Sequence, residues 1–263
     1  MLRNVGFLLV TEVVTRLAAL ALAVAIARGV GSAEYGHYTY ALAFAGTFAA
    51  FADFGISRLL TRSVAAQRGE AARLISASLA ARATMLLPAL GGALLLIHWQ
   101  PADQQPLLVL LVAVAATQSV AGLARSVFYG FERMQLDTAS RLLERLLALS
   151  GAFLALENGL GLVGVAIAFL VAGVVDVVVV SVMVVSRLAC PARSSSVPVV
   201  RTLLHDALPV GLYGLVLAVQ TSAPLYFLSA LRGASSTGQY SAAATPIFAL
   251  IPLPVLAAGA AFP

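Results

Sequence analysis

An all-α fold, a polytopic transmembrane helix bundle of about eight spans, is predicted by three features of this 263-residue sequence. Hydrophobic residues make up 61% of the chain and charged residues only 10%, whereas a typical soluble domain carries about 25% charge. The mean hydropathy is +0.98. The apolar residues are gathered into segments of roughly 20 residues, the length that a helix needs to cross a bilayer. Together these features exclude a soluble globular domain.

Eight segments qualify as predicted spans by length and apolar character. They are 5–28, 37–57, 76–98, 106–129, 140–157, 162–186, 207–230 and 239–261. The fifth begins with a cluster of charged residues, Arg141, Glu144 and Arg145. We therefore expect its first turn to lie at the membrane interface.

The arginines in the loops predict the orientation of the chain. All 16 basic residues are arginine, and they concentrate after the second, fourth and sixth spans. The loops after the first, third and fifth spans contain almost none, and Arg232, after the seventh span, is the exception. Because cytoplasmic loops are enriched in Arg and Lys, the N-terminus is expected in the cytoplasm.

A short motif occurs twice at a constant offset. The sequence GSAEYGHYTYA at 31–41 matches GASSTGQYSAA at 233–243, with Gly31, Gly36, Tyr38 and Ala41 recurring as Gly233, Gly238, Tyr240 and Ala243. This offset predicts a parallel duplication: a six-helix bundle over 1–202 and an incomplete second bundle of two spans over 203–263. The linker candidate is 187–204, which contains Pro191 and Pro198.

The repeated residues also predict local structure. Gly31 and Gly233 are expected to end a helix, and Gly36 and Gly238 to restart the chain at a tight turn. Tyr38 and its repeat equivalent would then anchor the chain at the membrane interface.

The segment 58–75 is amphipathic and has two interpretations. Leu59, Leu60, Val64 and Ala65 lie on one side, and four arginines lie on the other. It is either an interfacial helix whose apolar face contacts lipid, or a charged loop.

Four stretches of this sequence together resemble a known family. They are GVGSAEYGHYTYALAF, FADFGISRLLTRSVA, FYGFERMQ and LPVGLYGLVLAVQTSAPLYFLSALRGASSTGQYSAAATPI. In this order and spacing they resemble the bacterial polysaccharide or O-antigen repeat-unit flippases of the multidrug/oligosaccharidyl-lipid/polysaccharide exporter superfamily. Members have two helix bundles around a central cavity, and this chain looks like a C-terminally truncated one.

The resemblance implies a function, a location and partners. It implies a flippase in the bacterial inner membrane that moves lipid-linked oligosaccharide repeat units to the periplasmic leaflet by alternating access. Its substrate would be a polyprenyl-diphosphate-linked oligosaccharide, and a polysaccharide polymerase or glycosyltransferases would be its protein partners. No nucleic acid is expected. The alternatives are a drug/cation antiporter of the same superfamily and a non-transporting scaffold for polysaccharide assembly enzymes.

Ionisable side chains within spans are costly, so they are candidate functional residues. Glu12 and Arg16 lie four apart in the first span and either pair with each other or contact substrate. Arg82 and Arg125 either bind the substrate diphosphate or extend to the cytoplasmic headgroups. Gln118 shares a helix face with Arg125 and is a further cavity candidate.

Two carboxylates and a polar stripe complete the candidate set. Asp176 lies in the most apolar span and is the main candidate for coupling to a proton or cation. Asp53 either binds a cation, pairs with an arginine or lies at the interface. Tyr213 and Gln220, seven residues apart in the seventh span, either face sugar hydroxyls or pack between helices.

The sequence contains none of the common catalytic or metal-binding patterns. It has no phosphate-binding Gly-Lys-Ser/Thr loop and no histidine cluster, and it has a single cysteine, Cys190. We therefore expect no enzymatic activity, no catalytic residues, no cofactor and no metal.

Overall fold

The computed structural model describes residues 2–188 and 197–250, and the side chains of 19–188 and 199–247. This part of the chain is helical and contains no β-strand, which confirms the predicted all-α bundle. The α-helices are α1 (Leu2–Asp53), α2 (Ile56–Ala66), α3 (Ala71–His98), α4 (Gln105–Gly130), α5 (Met134–Glu157), α6 (Gly161–Arg187) and α7 (Val197–Leu250), with a short 3₁₀ turn at Arg68–Glu70. The linker residues 189–196 lie outside the described residues, and the division of the chain near residue 202 stays a prediction.

The predicted third to sixth spans correspond to α3, α4, α5 and α6. The first two spans both lie in α1, and the seventh and the start of the eighth both lie in α7. By length and apolar character, the described residues contain four candidate membrane spans, or five if the bent pair 19–53 and 56–66 is one span. Helix α5 is not among them, because Asp137, Arg141, Glu144 and Arg145 fall within it.

Helices α1 and α7 break at equivalent glycines. Gly31 has φ 83° and ψ 170°, and Gly233 has φ 78° and ψ −178°, in otherwise helical segments. A positive φ favours glycine because it has no Cβ, so the prediction that these two residues end a helix is confirmed. The predicted tight turns at Gly36 and Gly238 are wrong, since both residues lie within helical segments.

Gly36 and Gly238 instead allow α1 and α7 to approach closely. A Cβ on Gly36 would collide with the carbonyl oxygen of Ala234, and a Cβ on Gly238 would collide with that of Ser32. Ser32 and Ala234 are themselves 202 residues apart, so the two contacts are reciprocal. We call this contact the α1–α7 seam, and it has the pattern of a local two-fold axis.

Hydroxyl groups continue the α1–α7 seam along both helices. Ser32 Oγ lies 3.1 Å from Ser235 Oγ, and Ser241 Oγ donates to Thr39 Oγ1 at 3.0 Å. Thr39 and Ser241 are again equivalent positions of the repeat. Tyr38 is buried rather than placed at the interface, because it packs into the core beside the seam. The predicted anchoring role of Tyr38 is therefore wrong.

We expect Gly36→Ala to lower the free energy of unfolding by about 1–3 kcal/mol, the usual cost of overpacking a tight contact. The added methyl group would meet a backbone carbonyl of α7, which cannot rotate away. Gly46→Ala is the matched control on the same helix, because a Cβ there meets nothing within 4 Å. Thermal unfolding in detergent measures both variants, and equal midpoints for the two would contradict the close approach.

The apolar face of α2 contacts protein and not lipid. Ile56, Leu60 and Val64 are fully buried, in a core cluster that includes Phe128 of α4 and Val180 of α6. The amphipathic segment is thus helical over 56–66, as one interpretation predicted, but its expected exposure of Leu60 and Val64 to lipid is wrong. The bundle offers this face a protein surface, which the sequence pattern alone does not distinguish from lipid.

Candidate functional site

The principal cavity lies among α1, α4, α5 and α6, and Thr245 of α7 completes its wall. Its volume is about 400 Å³, within the range of small-molecule binding sites. Most of the wall is apolar. Seven polar or charged residues interrupt it: Tyr35, Tyr38, Thr39, Gln118, Glu144, Arg145 and Thr245.

The sequence of α5 explains how charge reaches this cavity. Its buried positions recur at helical spacing: Asp137, Thr138, Ser140 and Glu144 in the first half, then Ala148, Ala152 and Ala155 in the second. The small alanines let α5 pack against α6, and the polar residues on the same face carry charge into the bundle.

Two neighbouring residues of α5 carry the charge of the cavity wall. Glu144 is buried, and its Oε1 accepts a hydrogen bond from Gln118 Nε2 at 3.4 Å. Arg145 is the basic residue of this wall, and it forms no ion pair with any side chain in the described part of the bundle. Arg145 is therefore the candidate contact for an anionic group in the cavity.

A buried ion network lies directly behind Glu144. Arg125 of α4, only 4% exposed, donates from Nη2 to Asp176 Oδ2 of α6 at 2.6 Å and to Glu144 Oε2 at 3.4 Å. Its Nε lies 3.6 Å from Asp137 Oδ1. Asp137 also accepts from the Tyr129 hydroxyl at 2.6 Å. This network joins α4, α5 and α6, and we call it the α4–α6 network.

The carboxylates of the α4–α6 network differ in how many of their oxygen atoms accept hydrogen bonds. Arg141 Nε donates to both carboxylate oxygens of Asp137 at 3.0 Å. Asp176 is 2% exposed, and its Oδ1 has no hydrogen-bond partner among the described residues. Buried polar atoms are normally paired, so this oxygen is an unusual feature of the bundle.

A second ion pair, between a buried arginine and a partly exposed aspartate, joins α3 to α1. Arg82 is 2% exposed and donates from Nη2 to Asp53 Oδ1 at 2.6 Å and to Ser57 Oγ at 2.7 Å. Its Nη1 donates to Ser119 Oγ at 2.8 Å. Arg82 therefore lies outside the cavity wall, contrary to prediction. Asp53 takes the arginine-paired role among its predicted alternatives, so the cation-site role is not supported.

We expect Asp53→Ala to destabilise the fold by about 3 kcal/mol, because it leaves the Arg82 guanidinium buried without its counter-charge. The comparison is Glu70→Ala, which removes the exposed Glu70–Arg73 pair (3.6 Å) and should cost less than about 1 kcal/mol. Chemical denaturation of the detergent-solubilised chain measures both values. A smaller loss for Asp53→Ala than for Glu70→Ala would show that the Arg82 pair is not a structural link.

The remaining predicted site residues fall in different places. Gln118 lines the cavity, and Arg125 lies one contact behind the cavity wall rather than at the headgroups. Tyr213 is 63% exposed and Gln220 is also exposed, so neither reaches the cavity. The polar stripe of Tyr213 and Gln220 is therefore not part of this cavity, and its role stays a prediction. The side chains of Glu12 and Arg16 lie outside the described ones.

Sequence reasoning missed the two charged residues of the cavity wall. Glu144 and Arg145 were assigned to an interfacial turn because charge at the start of a short span usually lies there. The signal that could have placed them is the helical spacing of Asp137, Ser140 and Glu144, which puts three polar side chains on one face. Among the described residues, no group of three His, Cys, Asp or Glu side chains is arranged to hold a metal ion.

Comparisons with known proteins bear on the fold and the family. A family model described as "Polysaccharide biosynthesis protein" matches residues 1–263. A solved structure titled "Inward-facing conformation of a multidrug resistance MATE family transporter of the MOP superfamily" superposes with a TM-score of 0.65 and 19% identity over 93% of this chain. The chain spans 60% of the length of that transporter. At 19% identity, the similarity to this transporter shows a shared fold and nothing more. A search of curated proteins found no match.

Proposed function

Because the chain belongs to the polysaccharide biosynthesis protein family, we propose that it is a flippase for lipid-linked oligosaccharide repeat units. It would accept a polyprenyl-diphosphate-linked oligosaccharide from the cytoplasmic leaflet and release it to the periplasmic leaflet. The observation that carries this proposal is the cavity of about 400 Å³, whose mostly apolar wall includes Arg145, a residue that forms no ion pair with the described side chains.

The chemistry of the cavity wall suits such a substrate. The planar guanidinium of Arg145 can donate two parallel hydrogen bonds to a phosphate and stays charged at all physiological pH values. Gln118, Tyr35 and Thr39 offer hydrogen-bonding groups of the kind that sugar hydroxyls require. The apolar remainder of the wall can accommodate the first isoprene units of the lipid.

The α1–α7 seam supports a transport cycle based on rocking of two units. In parallel-repeat transporters, the substrate site lies at the interface between the repeats. With the N-terminus in the cytoplasm, as the loop arginines predict, Gly36 and Gly238 would lie on the periplasmic side of the inner membrane. While the α1–α7 seam is closed on the periplasmic side, the cavity would open to the cytoplasm. Opening of the seam would then release the substrate to the periplasmic leaflet.

One observation favours a drug/cation antiporter as the second candidate. The structural neighbour is titled a multidrug resistance transporter, and the α4–α6 network contains more carboxylates than guanidiniums. An antiporter site would bind organic cations at Glu144 and would be hindered by Arg145. A scaffold for a polymerase or glycosyltransferases, the third candidate, would bind those enzymes without needing either side chain.

The test is a flipping assay with the full chain reconstituted in liposomes. A fluorescent farnesyl-diphosphate-linked disaccharide is placed in both leaflets, and the loss of its fluorescence to an impermeant external reductant is followed as probe from the inner leaflet reaches the outer one. We expect Arg145→Ala to slow flipping at least tenfold, and Arg187→Ala, an exposed arginine at the end of α6, to leave it unchanged. Flipping that is independent of Arg145, or transport of an organic cation instead, would overturn the proposal.

A further inference from the structure

A smaller cavity lies where α1 and α2 meet α7, and we call it the α2–α7 cavity. Its volume is about 90 Å³, against about 400 Å³ for the principal cavity. The residues that line it are Ala50, Asp53, Gly55, Arg58, Val210, Gly211 and Gly214. None of these residues lines the principal cavity. The α2–α7 cavity is thus a separate site, of a size that suits one small group such as a phosphate rather than an oligosaccharide.

The backbone between α1 and α2 shapes the α2–α7 cavity. Phe54 has φ 40° and Gly55 has φ 77°, so the chain turns sharply after Asp53. Asp53 Oδ2 accepts a hydrogen bond from Gly55 N at 3.2 Å, which holds the turn in place. The turn packs closely against α7, because a Cβ on Gly211 would meet the carbonyl oxygen of Phe54 at 2.7 Å. Glycines on both sides therefore bring α2 and α7 close enough to share one cavity.

The charged groups at the α2–α7 cavity leave a net positive charge. The carboxylate of Asp53 is paired with the Arg82 guanidinium at 2.6 Å, so its negative charge is already compensated. Arg58 is exposed and forms no ion pair with any side chain in the described helices. One carboxylate and two guanidiniums together carry one positive charge in excess. A phosphate is the natural partner for such a guanidinium, because it can accept two parallel hydrogen bonds from it.

The position of the α2–α7 cavity favours a phosphate that belongs to a lipid. Arg58 follows the second predicted span and Val210 lies near the start of the seventh. With the N-terminus in the cytoplasm, as the loop arginines predict, both would lie at the level of the cytoplasmic headgroups. From there α7 continues with exposed apolar side chains, including Val216 at 63% and Leu217 at 45%. Acyl chains can cover this surface, whereas a soluble phosphate would gain nothing from it.

We propose that the α2–α7 cavity binds the phosphate of an anionic phospholipid from the cytoplasmic leaflet, with Arg58 as its contact. Basic cavities between membrane helices on the cytoplasmic side suit lipid headgroups. An anionic headgroup fits better than a zwitterionic one, because the cavity has one positive charge to neutralise and its carboxylate is already paired. Since Arg58 belongs to α2 and Gly214 to α7, the bound lipid would join these two helices. The site does not depend on the flippase proposal.

Thermal unfolding of the full chain in detergent tests the site, with dioleoylphosphatidylglycerol added in increasing mole fraction. A ligand that binds the folded chain raises its unfolding midpoint. We expect a saturable rise of about 3 °C or more for the wild-type chain. Dioleoylphosphatidylcholine, which has the same acyl chains and a zwitterionic headgroup, should raise the midpoint far less. Equal effects of the two lipids would overturn the proposal.

Arg58→Ala removes the contact to the phosphate from an exposed position, so the variant should fold. The mole fraction of phosphatidylglycerol that gives half of the rise should increase at least about tenfold, because a charge-assisted hydrogen bond is lost. Arg62→Ala is the matched control, since Arg62 is an exposed arginine of the same helix that does not line the cavity. Equal weakening in both variants would indicate general attraction of anionic lipid to a basic surface and would overturn the site.

Gly214→Leu tests the cavity by filling it. A Cβ on Gly214 meets nothing within 4 Å, so the new side chain can enter the cavity without a backbone collision. We expect this variant to lose the rise that phosphatidylglycerol produces. Gly91→Leu makes the same change at an exposed glycine of α3, whose Cβ would also meet nothing within 4 Å, and it should keep the rise. A full rise in Gly214→Leu would contradict binding in the cavity.

Two further phosphate compounds identify the source of the bound phosphate. Inorganic phosphate has no acyl chains, and farnesyl-diphospho-N-acetylglucosamine carries the diphosphate of the proposed substrate. Neither should produce a rise that is lost in Arg58→Ala. Such a rise with inorganic phosphate would identify a site for soluble phosphates, and such a rise with the farnesyl compound would identify an entry site for substrate. Either result would overturn the phospholipid assignment, whereas flipping that is independent of Arg145 would leave it standing.

Discussion

Replacing Arg125 with methionine should destabilise the bundle by about 3–5 kcal/mol. Arg125 is the one fully enclosed guanidinium facing Asp137, Glu144 and Asp176. Its removal leaves only the half-exposed Arg141 to compensate these carboxylates. Since a protein has a net stability of only about 5–15 kcal/mol, much of the purified Arg125→Met protein should be unfolded or aggregated at moderate temperature.

A combined variant shows whether the loss of stability in Arg125→Met comes from unpaired charge or from lost side-chain packing. Arg125→Met together with Asp176→Asn and Glu144→Gln removes the guanidinium and the two carboxylates that its Nη2 contacts. Hydrophobic or neutral replacement of a whole buried ion network is often close to neutral, so thermal stability should largely return. Arg187→Met is the control for loss of an exposed arginine. If the triple variant stays as unstable as Arg125→Met, the cause is lost side-chain volume rather than unpaired charge.

A disulfide across the α1–α7 seam should abolish transport and release it again on reduction. Ser32 Oγ and Ser235 Oγ are 3.1 Å apart, a spacing compatible with a bond between cysteines at the two positions. In a background with Cys190→Ser, the variant Ser32→Cys/Ser235→Cys should form this bond under mild oxidation. If opening of the seam is required for release, flipping should fall to the background rate and recover after a reductant is added.

The two single-cysteine variants are the matched controls for this experiment. They carry the same side-chain changes but cannot form the link, so oxidation should not affect their activity. Gel mobility after proteolysis between α1 and α7 reports whether the bond has formed. Full flipping activity in the cross-linked protein would contradict a seam that opens during transport.

The sequence predicted the helices well because apolar length is a local property. Each of α3, α4 and α6 begins and ends within about five residues of its predicted span, since a bilayer crossing fixes how many apolar residues must be consecutive. The family resemblance deduced from four dispersed motifs is confirmed by the match over residues 1–263. Both results depend on the order of residues along the chain and not on their packing.

The candidate site was harder to predict because side-chain pairing is a property of packing. Arg82 and Asp53 are 29 residues apart, and Arg125 and Asp176 are 51 apart, so no local pattern relates them. The pattern of apolar segments located charged residues within the predicted spans. It did not show which of these residues form ion pairs with each other. The same limit applies to Tyr213 and Gln220, which share a helix face by spacing but do not line this cavity.

The reciprocal contacts of Gly36 and Gly238 have a consequence beyond transport. A contact in which position i meets position j, and j meets i, is the arrangement found in isologous homodimers. The same geometry would relate two identical chains that each carry one copy of the motif. Fusion of two such chains into one polypeptide would preserve the interface, and it would leave each glycine under the same steric constraint from the partner half's backbone.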